Sequence, residues 1–161
     1  MTNHDGTYVY QINISNGGVP KCAVEKAYVS INGLEGDRQK NRKIHGGTDR
    51  ALCLYSLERL DDLRAEGHDI QPGSSGENLT IAGLDWSVLR PGDHMRIGPC
   101  LQIAITGYAE PCRHNARWFR DNNYKRISQK MHPGWSRLYA QVLTEGTVHH
   151  GDSVCVNTRN Q

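Results

Sequence analysis

The sequence predicts a single, mainly β domain with a few short helices, an α+β arrangement dominated by strands. Three observations carry this. The chain has 161 residues and no linker or low-complexity tract, so it reads as one domain over 1–161, large enough for a real core. It holds 17 glycines and one phenylalanine. Its apolar residues fall in many short runs, several alternating in polarity, which favours strands joined by turns over a helical bundle.

Residues 8–14, YVYQINI, alternate and read as the first strand. SNGGVPK (15–21) is a turn by composition, and AVEKAYVSI (23–31) a second strand. From Gly33 to Arg50 the chain is basic, glycine-containing and poor in apolar residues, which predicts a long surface loop. ALCLYS (51–56) reads as a buried strand. Ser56 then caps a helix whose apolar stripe is Leu57, Leu60 and Leu63, with Gly67 as its stop. PGSSGENLTIAGL (72–84) is a turn feeding a strand near Leu79 to Ile81. PGDHMRIG and HGDSVCV each set Gly-Asp before an alternating strand, pointing Met95 with Ile97 and Val154 with Val156 to one side. CLQIAIT (100–106) is a further strand, helical character is expected over 112–121, and RLYAQVLTEG (137–146) is a strand running into a turn.

Charge and composition narrow the function. There are 19 basic and 17 acidic residues, a net charge of +2. That small surplus argues against nucleic acid as a partner. No apolar stretch approaches the ~18 residues that span a bilayer, and the N-terminus lacks a signal-peptide pattern, so neither membrane nor export is expected. The five cysteines, at 22, 53, 100, 112 and 155, form no C-x-x-C pair. They read as reduced, mostly buried thiols of a cytoplasmic protein. The eight histidines lack zinc-ligand spacing.

Cys112 stands apart from the other cysteines. Pro111 suits the first turn of a helix, which would set the thiol near a positive helix end. Arg113, His114 and Arg117 follow within five positions. These influences favour a thiolate, which is both a nucleophile and a soft-metal ligand. A packed cysteine at a strand-to-helix junction fits the local sequence equally well. In the basic loop, Arg38, Lys40, Arg42, Lys43 and Arg50 could cradle a small anion where Gly46 and Gly47 let backbone approach. The same run also suits a solvated face. Asn78 could bond a heterocycle edge or hold its own turn. Arg137 and Tyr139, two apart on a strand, share a face.

Together, GLEGDRQ, HGGTDRALCLYS, PGSSGENLTIAGLDW, PGDHMRIG, EPC and GWSRLYAQVLTEGTVHHGDSV resemble the MOSC domain, named for the C-terminal domain of molybdenum-cofactor sulfurase. The likeness runs from about residue 33 to 156 and is nearest to small stand-alone bacterial members. It implies a β-barrel-like domain with short helices. It also implies an essential cysteine, mapping onto Cys112, which ligates molybdenum in cofactor-bearing relatives that reduce N-hydroxylated compounds. The resemblance implies a molybdenum cofactor (molybdopterin) held near Arg42, His45, Gly46, Gly47, Arg50, Tyr55, Ser56, Asn78, Arg113 and Arg137. Pyridoxal phosphate, which serves a separate domain of the sulfurase, is not expected in this chain. A small-molecule substrate is implied, with a separate electron donor. Two other roles stay open: a sulfur carrier charged as a Cys112 persulfide by a cysteine desulfurase, and a non-catalytic module that binds or transfers the cofactor.

Overall fold

A computed structural model describes residues 6–38 and 47–157. Arg42, His45 and Gly46, with Lys40 and Lys43, lie outside the described residues. The first expected strand forms as β1 (Tyr8–Ile14), with a bulge between Val9 and Gln11 that keeps Val9 and Ile12 buried on either side of it. The second expected strand is two. β2 (Cys22–Val24) pairs with β1, Glu25 interrupts, and β3 (Lys26–Ser30) joins a different sheet. The loop expected from Gly33 opens with a short strand, β4 (Gly33–Leu34), against β3.

The buried strand is β5 (Leu52–Ser56), and the helix follows as α1 (Leu57–Ala65). Ser56 Oγ accepts from the Arg59 N–H at 3.1 Å, satisfying one of the free donors of the first turn. Leu60 and Leu63 are buried and Leu57 is half-buried, as the stripe predicts. Each buried leucine contributes about 1.5–3 kcal/mol of apolar burial. Gly67, at φ +98°, ends the helix as expected. The chain returns through β6 (Leu79–Ala82), parallel to β5.

β7 (His94–Ile97) turns Met95 and Ile97 inward, and β8 (Leu101–Ala109) pairs with it and with β9 (Arg137–Thr144). A strand beyond the expected turn was not foreseen: β10 (Gly146–His149) pairs with β3. It carries a single buried apolar residue besides glycine, Val148, too little for an alternation signal. β11 (Val154–Asn157) pairs with β7.

The main sheet runs β11-β7-β8-β9-β5-β6-β1-β2, and the smaller one β10-β3-β4. The mainly β expectation therefore holds, but among the described residues the sheet is not closed into a barrel. One isolated bridge, Tyr8 to Ser153, links β1 to the segment before β11. The helical expectation for 112–121 changes in kind: Arg113–Trp118, Arg120–Asn122 and Tyr124–Ile127 are short 3-10 turns, and no α-helix forms there. Phe119 is extended between the first two, and Asp121 and Asn122 take positive φ. The expectation of mostly buried cysteines is also overturned. Cys53 is buried and Cys112 half-buried, while Cys22, Cys100 and Cys155 are exposed.

Candidate functional site

β8 ends at Ala109, and Glu110, Pro111 and Cys112 lead out of the sheet. Cys112 is extended (φ −118°, ψ 165°) and precedes a six-residue 3-10 turn. The helix-end field expected for its thiol therefore has no α-helix to generate it. Its surroundings are nevertheless charged. Cys112 lines a cavity of about 1080 Å³ together with Lys21, Arg38, Arg113, His114, Arg117 and Arg137.

Three elements build this cavity. The turn before β6 is fixed by Gly73, whose φ is +86° and where an added Cβ would lie 2.4 Å from the Lys21 carbonyl oxygen. That close approach lets the Lys21 N–H donate to the Gly73 carbonyl at 2.9 Å and places Ser75 at the cavity wall. β9 contributes Arg137 and Tyr139 to the same face, as their spacing predicts. The 15–21 turn closes a further side with Gly17, Gly18 and Val19, where the Arg117 guanidinium donates to the Val19 carbonyl.

Arg137 is 6 % exposed. Its Nη1 donates to the Ser75 carbonyl at 2.6 Å, and Nη2 to the carbonyls of Glu110 at 3.2 Å and Ala109 at 3.4 Å. The guanidinium thus ties the chain just ahead of Cys112 to the turn before β6. Asn115 ties the chain just behind it, since Nδ2 donates to the same Ser75 carbonyl at 3.3 Å. Lys21 forms an ion pair with Asp37 at 2.6 Å, and both side chains are nearly covered.

The foreseen residues divide by position. Cys112, Arg113, Asn78 and Arg137 line the cavity. Asn78 is committed within the protein: Oδ1 accepts from the Cys53 N–H at 3.0 Å, and Nδ2 donates to Asp37 at 2.9 Å. Arg50 is exposed and stacks its guanidinium 5.0 Å from the centre of the Tyr139 ring, bringing the turn that begins after Gly47 to the cavity's edge. Tyr55 and Ser56 lie elsewhere. The Tyr55 hydroxyl donates to the Trp135 carbonyl at 2.7 Å, and Ser56 caps α1. Asn115, Cys53 and Lys21 belong to the wall but were not singled out. Cys53 and Lys21 announce nothing locally. Asn115 stands three residues after Cys112, a spacing that a 3-10 turn makes meaningful.

Burial sets the protonation of two neighbours. It pushes the Cys53 thiol up to about 11, the nearby Arg137 opposing only in part. It likewise raises the Tyr139 phenol to about 12, with Cys53 adding to the rise. Both groups keep their protons at neutral pH.

A mainly β domain with an open cysteine in a cation-lined cavity defines the class. The MOSC domain model matches residues 41–155, and the chain belongs to that family. YflK of Bacillus subtilis is 26 % identical over 149 residues, covering 92 % of this chain and 66 % of that protein. A reductase of Gibberella moniliformis is 27 % identical over 139 residues, covering 82 % of this chain and 24 % of its own length. The chain thus spans less than two thirds of either relative. The crystal structure of YiiM from Geobacillus stearothermophilus shares the fold, with a TM-score of 0.76 at 24 % identity, covering 95 % of this chain and 76 % of that one.

Proposed function

We propose that this chain binds a molybdenum cofactor with Cys112 as the protein's ligand to the metal, and reduces small N-hydroxylated compounds with electrons from a separate donor. The observation that carries the reading is the half-buried Cys112 thiol in a 1080 Å³ cavity lined by five lysine or arginine side chains and one glutamate, Glu110. Family membership and the reductase relative support it.

The residues present suit such a group. Cys112 offers one soft sulfur, fitting a metal whose other donors come with the cofactor. Cys53 stays a protonated thiol and does not compete. Arg38, Arg113 and Arg117 are exposed cations on the cavity lining, suited to a phosphate. Lys21 is neutralised by Asp37, so its role there is structural. Tyr139 lines the cavity and holds its phenolic proton. When bound, the cofactor supplies a metal that exchanges two electrons with an N–O bond.

Elemental analysis of protein made in a cofactor-replete host tests this. Stoichiometric molybdenum is expected in the wild type and none in Cys112→Ser. Absence of molybdenum from both proteins refutes the reading.

A further inference from the structure

β8 and β9 are antiparallel neighbours whose pairing runs out at Ala109 opposite Arg137. The chain between them, residues 110–136, is therefore one excursion from the end of the sheet at which Cys112 sits. A connection this long, with only short 3-10 turns of its own, is uncommon in a compact domain unless it serves a function. It is firmly held. The Arg120 N–H donates to His68 Nδ1 at 2.9 Å, and the Arg126 guanidinium grips the Glu66 carboxylate at 2.8 and 3.0 Å. Ser128 Oγ donates to the Glu110 carboxylate at 3.3 Å, which folds the excursion back onto the residue two before Cys112.

The charge of this excursion differs from that of the rest. It holds six of the 19 lysines and arginines and two of the 17 acids, so the remainder carries 13 bases against 15 acids. Arg113, Arg117, Arg120, Lys125 and Lys130 are exposed, and none forms an ion pair with a described residue. Arg113 and Arg117 line the Cys112 cavity. Arg120 and Lys125 line a separate depression of about 560 Å³, with His68, Asp121 and Tyr124. Apolar groups stand among these cations: Met131 is exposed, and Trp118 and Tyr124 are half-buried. Arginine, methionine and aromatic side chains are the types enriched where proteins meet.

We propose that the 110–136 excursion, through Arg120, Lys125 and Lys130, is the docking face for an acidic protein that delivers electrons at the Cys112 cavity. The inference rests on the proposed reduction, which consumes what such a partner brings: two electrons and two protons break the N–O bond, leaving an N–H compound and water. Complementary charge speeds and orients the encounter, and a face held by His68, Glu66 and Glu110 needs little ordering on docking. A long polyanion such as RNA fits less well. It would run past the excursion onto a remainder in which acids outnumber bases, whereas a protein presents its acids only where it docks.

Calorimetric titration at low ionic strength with two acidic electron carriers, an iron–sulfur ferredoxin and a flavodoxin, tests it. Single-stranded RNA and phosphatidylglycerol vesicles serve as the other polyanions. A carrier is expected to bind, with an affinity that falls as salt is added. Arg120→Glu combined with Lys125→Glu should weaken that binding by about tenfold. Lys26→Glu combined with Arg96→Glu, at exposed positions outside the excursion, makes the same change in net charge and should leave the affinity intact. Arg120→Gln with Lys125→Gln gives a smaller loss and keeps the test open should the reversed pair fail to fold. Binding of neither carrier, equal losses in both reversed pairs, or tighter binding of RNA or vesicles than of either carrier overturns the docking face. Carrier binding that the reversed pair abolishes, in a protein that takes up no molybdenum, would sink the proposed function and leave the face standing. Molybdenum uptake with carrier affinity unchanged in the reversed pair would do the opposite.

Discussion

Glu77 is fully buried behind the cavity wall. Its carboxyl accepts from the Gly73 N–H at 3.1 Å, the Thr80 hydroxyl at 3.0 Å and the Ser75 hydroxyl at 3.2 Å. Burial raises its pKa, and those hydrogen bonds and Arg137 oppose the rise without cancelling it. A native pKa above the unfolded one means the folded state holds the proton more tightly. Its stabilising effect is full below the ordinary glutamate range and is lost as pH climbs toward the native value. Glu77→Gln removes that titration. Its melting temperature should fall less than the wild type's as pH rises from just above the usual glutamate range. Parallel melting curves for the two proteins would exclude Glu77 as the source. At this scale the sequence revealed what a strand's alternation can reveal: Arg137 and Tyr139 on one face. It could not reveal that Asn78 is consumed by Cys53 and Asp37, because those partners arrive from elsewhere in the chain.

The turn between α1 and β6 shows what an element contributes. Gly73 and Gly47 both have positive φ, +86° and +93°. A side chain at either bears a backbone strain of roughly 1–3 kcal/mol. At Gly73 the new Cβ would also strike backbone, the Lys21 carbonyl oxygen at 2.4 Å, whereas among the described residues nothing lies within 4 Å at Gly47. Gly73→Ala should therefore lower the melting temperature clearly more than Gly47→Ala. Equal losses would mean the turn tolerates separation from Lys21. Elements with their own signals were legible, as α1 was from its cap, stripe and stop. The 112–127 segment was not. Its polar residues favour no single periodicity, and its shape follows from Asn115, Phe119 and Ile127 being drawn into the interior. Asp121 and Asn122 accommodate the resulting kinks because aspartate and asparagine tolerate positive φ better than most residues.

Over the whole molecule, the first strand and the segment leading into the last meet along a seam. The Val9 N–H donates to Asp152 at 2.9 Å, Gly151 donates to Val9 at 2.8 Å, and Val154 donates to Thr7 at 2.9 Å. These bonds hold β1 to the segment before β11 although no ladder closes the sheet. Amide hydrogen exchange should find Val9, Gly151 and Val154 protected nearly as well as Leu54 in the central β5. Rapid exchange at all three would mean the seam opens independently of the core. A seam of this kind is invisible to sequence reading, since it joins residues more than 140 positions apart through backbone atoms that any residue supplies.

β2 is the outer strand of the main sheet beyond β1, and it carries Cys22, an exposed thiol. An unpaired strand edge invites a second chain to align along it. A thiol on that edge can make the encounter permanent once air supplies an oxidant. During storage without a reducing agent, β2 is thus one margin along which two copies can become covalently joined, and β11, the opposite outer strand with its exposed Cys155, is another; serines at 22 and 155 would remove both edge thiols without touching the cavity.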